Sequence, residues 1–212
     1  MSCRFLKVQL FVVAATLSIA MLLFAAQRRS SASAPQFRTI VDLTSSVSPQ
    51  NASPTTSLVA PSDFGGAWTI DQLPAVRLIA PLVVIVPHLK NFPNSESLVT
   101  MDDVAAYERT HGPVPQGSIV LLASAKKGVE PVVDPDALRF LVEARNVVGF
   151  GTAGSSAVIG TEAPYLAQKG IYELRNVANL TLIPKSGAIG VAAPLKMQRA
   201  SEAPVRLMAM LR

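Results

Sequence analysis

The chain has 212 residues, half of them apolar and 16% charged, which excludes a disordered or heavily solvated protein and points to one domain with an appendage. Nineteen Lys and Arg against fourteen Asp and Glu give a formal charge of +5, a balance that suggests nucleic acid or an anionic membrane as partner. Four of those cations, Arg4, Lys7, Arg28 and Arg29, precede Pro35, where no acid occurs; fifteen cations against fourteen acids, or +1, remain for the body. No basic footprint for nucleic acid is left there.

Phe11 to Ala26 is an uncharged, proline-free run behind Arg4 and Lys7, the way a secretory signal begins. The body is therefore expected to be exported, to a periplasm or the medium. The run is 16 residues, or 19 with Val8, Gln9 and Leu10, near the lower limit for a membrane-spanning helix. Cleavage after the small-x-small Ala32-Ser33-Ala34 and retention as an anchor both stay open, and membrane contact is expected only through residues 8–26 of an uncleaved chain. The division is residues 1–34 as signal peptide or signal anchor and 35–212 as the folded domain. The single cysteine, Cys3, lies in the leader, so the body can form neither an internal disulfide nor a thiolate metal site.

From Pro35 onward, short β-branched runs alternate with helical stretches. Ile40 to Leu43 and Leu82 to Val86 read as strands, the second apolar on both faces and hence central. Thr44 to Pro61, rich in Ser, Thr and Pro, reads as a mobile loop. Thr100 caps a helix with Asp102 and Asp103 in its first turn, Val104 and Tyr107 inward and Gly112 as its stop. Ser118 to Leu122 is a buried strand. Asp134-Pro135 opens a second helix with Ala137, Leu138, Leu141 and Ala144 as its apolar stripe, followed by a strand at Val147 to Phe150. Thr161 to Lys169 reads as a short helix closed by Gly170, and strands are expected at Leu180 to Ile183, Ile189 to Ala192 and Val205 to Met210. This interleaving predicts an α/β domain with a mixed sheet.

Catalytic motifs are sparse. His88 reads as a loop residue after a strand and His111 as a cation at a helix C-terminus. No Gly-x-Ser-x-Gly elbow occurs. Gly149, Gly151 and Gly154 meet the Gly-x-Gly-x-x-Gly form, but Gly149 ends a strand, no good helix follows and no acid lies about 20 residues on. Asn51-Ala-Ser53 and Asn179-Leu-Thr181 fit the glycosylation sequon, a pattern frequent by chance.

Several stretches together resemble the cyclase family of metal-dependent kynurenine formamidases: Val41-Asp-Leu-Thr44, Ala60-Pro61, Phe64-Gly-Gly-Ala-Trp-Thr-Ile-Asp-Gln-Leu-Pro74, Gly170-Ile-Tyr172, Asn176-Val-Ala-Asn-Leu180, Pro194-Leu-Lys196 and Ala203-Pro-Val-Arg206. The similarity runs in the family's order over nearly everything from Ile40. It implies a swivelling β/β/α cyclase-like domain, usually oligomeric, and an arylformamidase-type attack of water on an amide or ester, with zinc or manganese. The family's His-x-Gly-Thr-His-x-Asp-Ala-Pro-x-His segment aligns through Ala60-Pro61. There Ser53 and Ser57 stand at two metal-binding histidines, Val59 at the bridging aspartate and Asp63 at the catalytic histidine. Ala163 falls at a further ligand histidine, and Arg175 replaces the glutamate before Asn176. Serine is a poor zinc ligand, valine and alanine offer no donor, and a guanidinium about 4 Å from a divalent ion is repelled by roughly 8 kcal/mol at an effective dielectric near 20.

The resemblance with these substitutions implies a non-catalytic binding or assembly protein without a metal cofactor. It would act as a homo-oligomer or as partner of an active relative. The alternative is a divergent arylformamidase-type hydrolase with Asp63 as base and Glu162 as a second carboxylate. In either case Arg175 is expected to pair with Asp63 or Glu162 or to face a small carboxylate or an aromatic amide, with Trp68 as an apolar wall.

Overall fold

A computed structural model describes residues 37–46, 54–88, 97–124, 129–158 and 160–212. The leader with Cys3, Ser53 and the sequon at Asn51 lie outside the described residues. Among the described residues no helix is long and apolar enough to cross a membrane.

The strands are β1 (Thr39–Asp42), β2 (Ser57–Val59), β3 (Ile79–Ile85), β4 (Ser97–Val99), β5 (Ile119–Leu122), β6 (Pro131–Val133), β7 (Gly149–Thr152), β8 (Tyr172–Arg175), β9 (Ala188–Pro194) and β10 (Glu202–Leu211). The helices are α1 (Met101–His111), α2 (Pro135–Arg145) and α3 (Ala163–Gln168). The main sheet runs β1-β10-β2-β8-β7-β5-β3-β9, and β9 also pairs with β10. Seven strands thereby close into a barrel, with β1 added beside β2 on the same edge of the ten-residue β10. The expected mixed α/β arrangement is present: β3, β5, β7 and β8 are parallel neighbours and the remaining pairs of this sheet antiparallel. The expected layering gives way to closure, because β10 is long enough to pair with β2 through its first residues and with β9 through the rest.

Side chains alternate across each strand, so closure sorts them into two cores. Leu82 and Val84 of β3, Ile119 and Leu121 of β5, and Tyr172 and Leu174 of β8 join Leu58 and alternate residues of β10 inside the barrel. Val83 and Ile85, Val120 and Leu122, and Phe150 point outward, where Val104, Tyr107, Leu138, Leu141 and Leu166 of the helices cover them. The helices blanket only the parallel half. The outward residues of β10, Glu202, Pro204 and Arg206, are exposed.

The helix ends follow their sequence signals. Thr100 and Asp103 form a reciprocal capping box on α1, and Gly112 ends the helix at φ 82°. The Asp134 side chain accepts from the Asp136 N–H at the start of α2, and Asn146 closes that helix in the left-handed region at φ 48°. Gly149 and Gly151 prove to be interior barrel residues. A Cβ at Gly149 would lie 2.4 Å from the Tyr172 ring, and one at Gly151 would lie 2.6 Å from Leu121. Their spacing reflects close packing of neighbours on β7 rather than a phosphate-binding turn.

Three expectations need correction. The stretch Thr44 to Pro61 contains β2, inserted between β10 and β8 with all three residues buried. Tyr172–Arg175 is a strand, whereas Leu180–Leu182 is a 3-10 turn. Asn176 and Asn179 at φ 53° and 57° break an extended path. Leu180 and Ile183, three apart, are then buried while Leu182 is 63% exposed, which is the spacing of a tight helix and not of a strand. Thr161 to Lys169 is helical, but opens as a 3-10 turn at Gly160–Glu162 before α3.

Candidate functional site

The register of three strands assembles the site on the outer face of the barrel. Ser57 of β2 lies opposite Arg175 of β8, and Val59 opposite Glu173. On the other side Val59 faces Glu202 of β10. Leu58, Tyr172, Leu174 and Ala203 turn into the barrel, so their neighbours Ser57, Val59, Glu173, Arg175 and Glu202 must share the opposite face. This face sits toward the carboxyl end of the parallel strand β8, where open and closed α/β sheets alike place their ligands.

Glu173 is the centre of the cluster, only 3% exposed. The Ser156 hydroxyl lies 3.2 and 3.3 Å from its two oxygens, and Arg175 Nη2 donates to Oε2 at 3.5 Å. Arg175 Nη1 also lies 3.9 Å from Glu202 Oε2, while its buried Nε has no hydrogen-bond partner. The Ser57 hydroxyl donates to Glu202 Oε1 at 2.5 Å. Burial pushes the Glu173 carboxyl above its ordinary pKa. The Arg175 charge and the Ser156 hydrogen bond oppose that rise, and the Asp63 charge adds to it.

Of the residues expected at the site, Ser57, Val59 and Arg175 come together here. The partners of Arg175 are Glu173 and Glu202 rather than Asp63 or Glu162. Asp63, in the 3-10 turn Pro61–Phe64, accepts from the Ser201 hydroxyl at 2.9 Å and reaches Glu173 only through its field. Glu162 is held by Arg139 of α2 at 3.2 Å. Ala163 is buried at the start of α3, a methyl group among the outer core. The Trp68 ring packs against Gly170, five residues before Arg175, beneath the Arg77 guanidinium at 5.3 Å. His88 and His111 both lie by α1: His88 Nδ1 is 2.8 Å from the buried Asp103, and the His111 ring rests on Tyr107. Sequence reasoning missed Glu173, Ser156 and Glu202. The available signal was the alternation Tyr172-Glu173-Leu174-Arg175, which sets an acid and a base two apart on one face of a strand.

The side chains on this face, among the described residues, are not a usual zinc or manganese donor set. Among the described residues, no group of three or more His, Cys, Asp or Glu side chains could hold a metal ion. Ser57 is engaged with Glu202, Val59 and Ala163 have no donor, and the Arg175 guanidinium lies beside the carboxylates that remain.

The architecture is that of a mixed α/β barrel with a polar cluster at the strand ends. The chain belongs to the cyclase family: the family described as "Putative cyclase" matches residues 21–157. It is 30% identical over 176 aligned positions to the isatin hydrolase of Roseibium aggregatum, the alignment taking in 70% of this chain and 65% of that protein. The chain thus spans a little under two thirds of that relative's length. Its fold is similar to isatin hydrolase A from Labrenzia aggregata bound to benzyl benzoate, with a TM-score of 0.68 and 25% identity over 82% of this chain and 93% of the other. Isatin hydrolase A from Ralstonia solanacearum has a TM-score of 0.71 at 23% identity, covering 92% of this chain and 97% of the other.

Proposed function

We propose that this protein is a cyclase-family hydrolase that adds water to the carbonyl of a small-molecule amide or ester. A cyclic amide such as isatin is the first substrate to test, and the face formed by β2, β8 and β10 is the reacting surface. The observation that carries this reading is the 30% identity to isatin hydrolase. The site chemistry supports it without a metal. Glu173, with a carboxyl pushed up by burial, holds a proton more readily than a surface carboxylate, as a general base for water must. Arg175 beside it supplies the positive charge that a developing oxyanion needs. Ser57 positions Glu202, which in turn flanks Arg175.

In the test, the purified chain is incubated with isatin and with an N-formyl aromatic amide, first in chelator and then with added manganese or zinc. We expect slow hydrolysis that survives chelation and is lost in Glu173→Gln. No turnover of either compound under any of these conditions would refute the reading. A second reading, a non-catalytic binding or assembly protein working with a second copy or an active relative, is favoured by one observation: Glu173 and Glu202 both neutralise Arg175. Saturable binding of the same compounds without turnover would select it.

A further inference from the structure

We propose that a second cavity, at the amino end of β7 and β8 and lined by Arg77 and Lys169, binds a small organic carboxylate. It measures about 360 Å³, within the range of small-molecule sites. It lies at the opposite end of β8 from Arg175, between Val147 and Ile171, which precede β7 and β8, and the last turn of α2.

Arg77 sets the chemistry. It is partly exposed, and among the described residues no carboxylate forms an ion pair with it. Its Nη2 donates to the Gly170 carbonyl at 3.0 Å, whereas its Nε is buried without a hydrogen-bond partner. The guanidinium carbon lies 5.3 Å from the Trp68 ring centroid, a cation–π contact on one side. An arginine remains charged in proteins and carries five N–H donors; with Nε shielded and one Nη2 hydrogen on Gly170, the remaining terminal N–H groups are the ones a ligand would use. Burial pulls its pKa down from the ordinary arginine value, a sign of desolvation that a bound anion would relieve.

The rest of the lining narrows the ligand. Lys169 adds a second cation, and Glu143 is the opposing acid, its Oε1 already accepting from the Tyr165 hydroxyl at 3.0 Å. Two cations against one acid favour an anion. Val142, Val147 and Ile171 form the smaller, apolar part of a mainly polar lining, room enough for an acid carrying one small apolar group. A planar carboxylate also matches the guanidinium fork bidentately.

The experiment titrates the full chain with benzoate and, separately, with inorganic phosphate, read by calorimetry. Benzoate is expected to bind saturably with a Kd of about 1 mM, at least tenfold more tightly than phosphate. Because Arg77 also holds Gly170 and Trp68, Arg77→Gln is paired with Lys169→Glu at an exposed position, whose melting temperature should not change. We expect benzoate affinity to fall at least tenfold in the first variant and at least threefold in the second. It should be unchanged in Glu173→Gln at the other end of β8. Affinity undiminished in Lys169→Glu, lost in Glu173→Gln or absent in the parent chain would overturn the site. Phosphate binding as tightly as benzoate would overturn the assignment to an organic acid.

Discussion

Replacing Arg175 by Met removes the cation from between Glu173 and Glu202 while keeping a long apolar stem. Breaking a buried ion pair by deleting one partner costs about 3–5 kcal/mol. Arg175 is 23% exposed and its contacts are long, at 3.5 and 3.9 Å, so about 2 kcal/mol is the better expectation near pH 8. For a domain of this size that is a fall of about 4–8 °C in melting temperature. The pH dependence is the sharper test. Glu173 has its carboxyl raised in the fold by burial, with Arg175 holding the rise in check. A raised folded pKa means that the favourable contribution is fully present below the unfolded value and is lost as pH rises through the folded one. Without Arg175 the folded value rises further, and the loss with increasing pH grows by about 1.4 kcal/mol for each additional unit. The gap between parent and variant should therefore be narrow at about pH 4, where Glu173 is protonated in both, and should widen toward pH 8. Thermal melts across that range, with refolding verified, measure it, and Arg175→Met/Glu173→Gln should close the gap at pH 8. A gap that is constant with pH, or wider in acid, would refute the electrostatic account.

Two further outcomes are expected. Gly151→Ala places a Cβ 2.6 Å from Leu121 Cδ2 and 3.0 Å from Leu174 Cβ, and the overpacking should cost about 1–3 kcal/mol. It would be seen as a lower urea midpoint at unchanged slope, and an unshifted midpoint would show that the interior can yield. Asp103→Ala strips the partners of Thr100 N–H and hydroxyl and of His88 N–H and Nδ1, leaving backbone donors unpaired at a cost of about 2–4 kcal/mol. Burial alone would raise the Asp103 carboxyl, but those hydrogen bonds hold it below its ordinary value. Its stabilising share is thus present above the unfolded pKa and lost as pH falls through the folded one, so parent and Asp103→Ala melts should draw together as the pH is taken below the ordinary aspartate range.

Much of the fold was legible because its signals are local. Asp134-Pro135 and Thr100 with Asp103 announce α2 and α1 through capping chemistry that needs no tertiary partner. The continuous apolar runs of β3 and β5 are buried on both faces, as their composition demands. β2 and β8 were hidden for the opposite reason. Ser57-Leu58-Val59 is three residues long and exists only because β10 and β8 hydrogen-bond it from either side. β8 carries Glu173 and Arg175 on the face that forms the polar cluster, so its composition reads as surface. The candidate site was obscured by the same fact. Aligning the family's motif marked Ser57, Val59 and Arg175, but the acids that answer Arg175 are brought to it by cross-strand register, which depends on how the barrel closes. The family alignment brought Asp63 and Glu162 closest to Arg175, yet the place of Glu162 beside α3 hands it to Arg139.

The filled interior of the barrel constrains how such a chain can drift over time. Gly149 makes room for the ring of Tyr172, Gly151 for Leu121 and Leu174, and Gly190 for Leu82. Each large side chain and the glycine facing it act as a matched set of volumes, so neither member can change size alone without a clash or a void. Change at these positions should proceed in compensating pairs across adjacent strands, with single intermediates that are less stable than either end point. The outer residues Ser57, Glu173, Arg175 and Glu202 have no such volume partners inside. Their chemistry can be rewritten while the barrel beneath them keeps its shape.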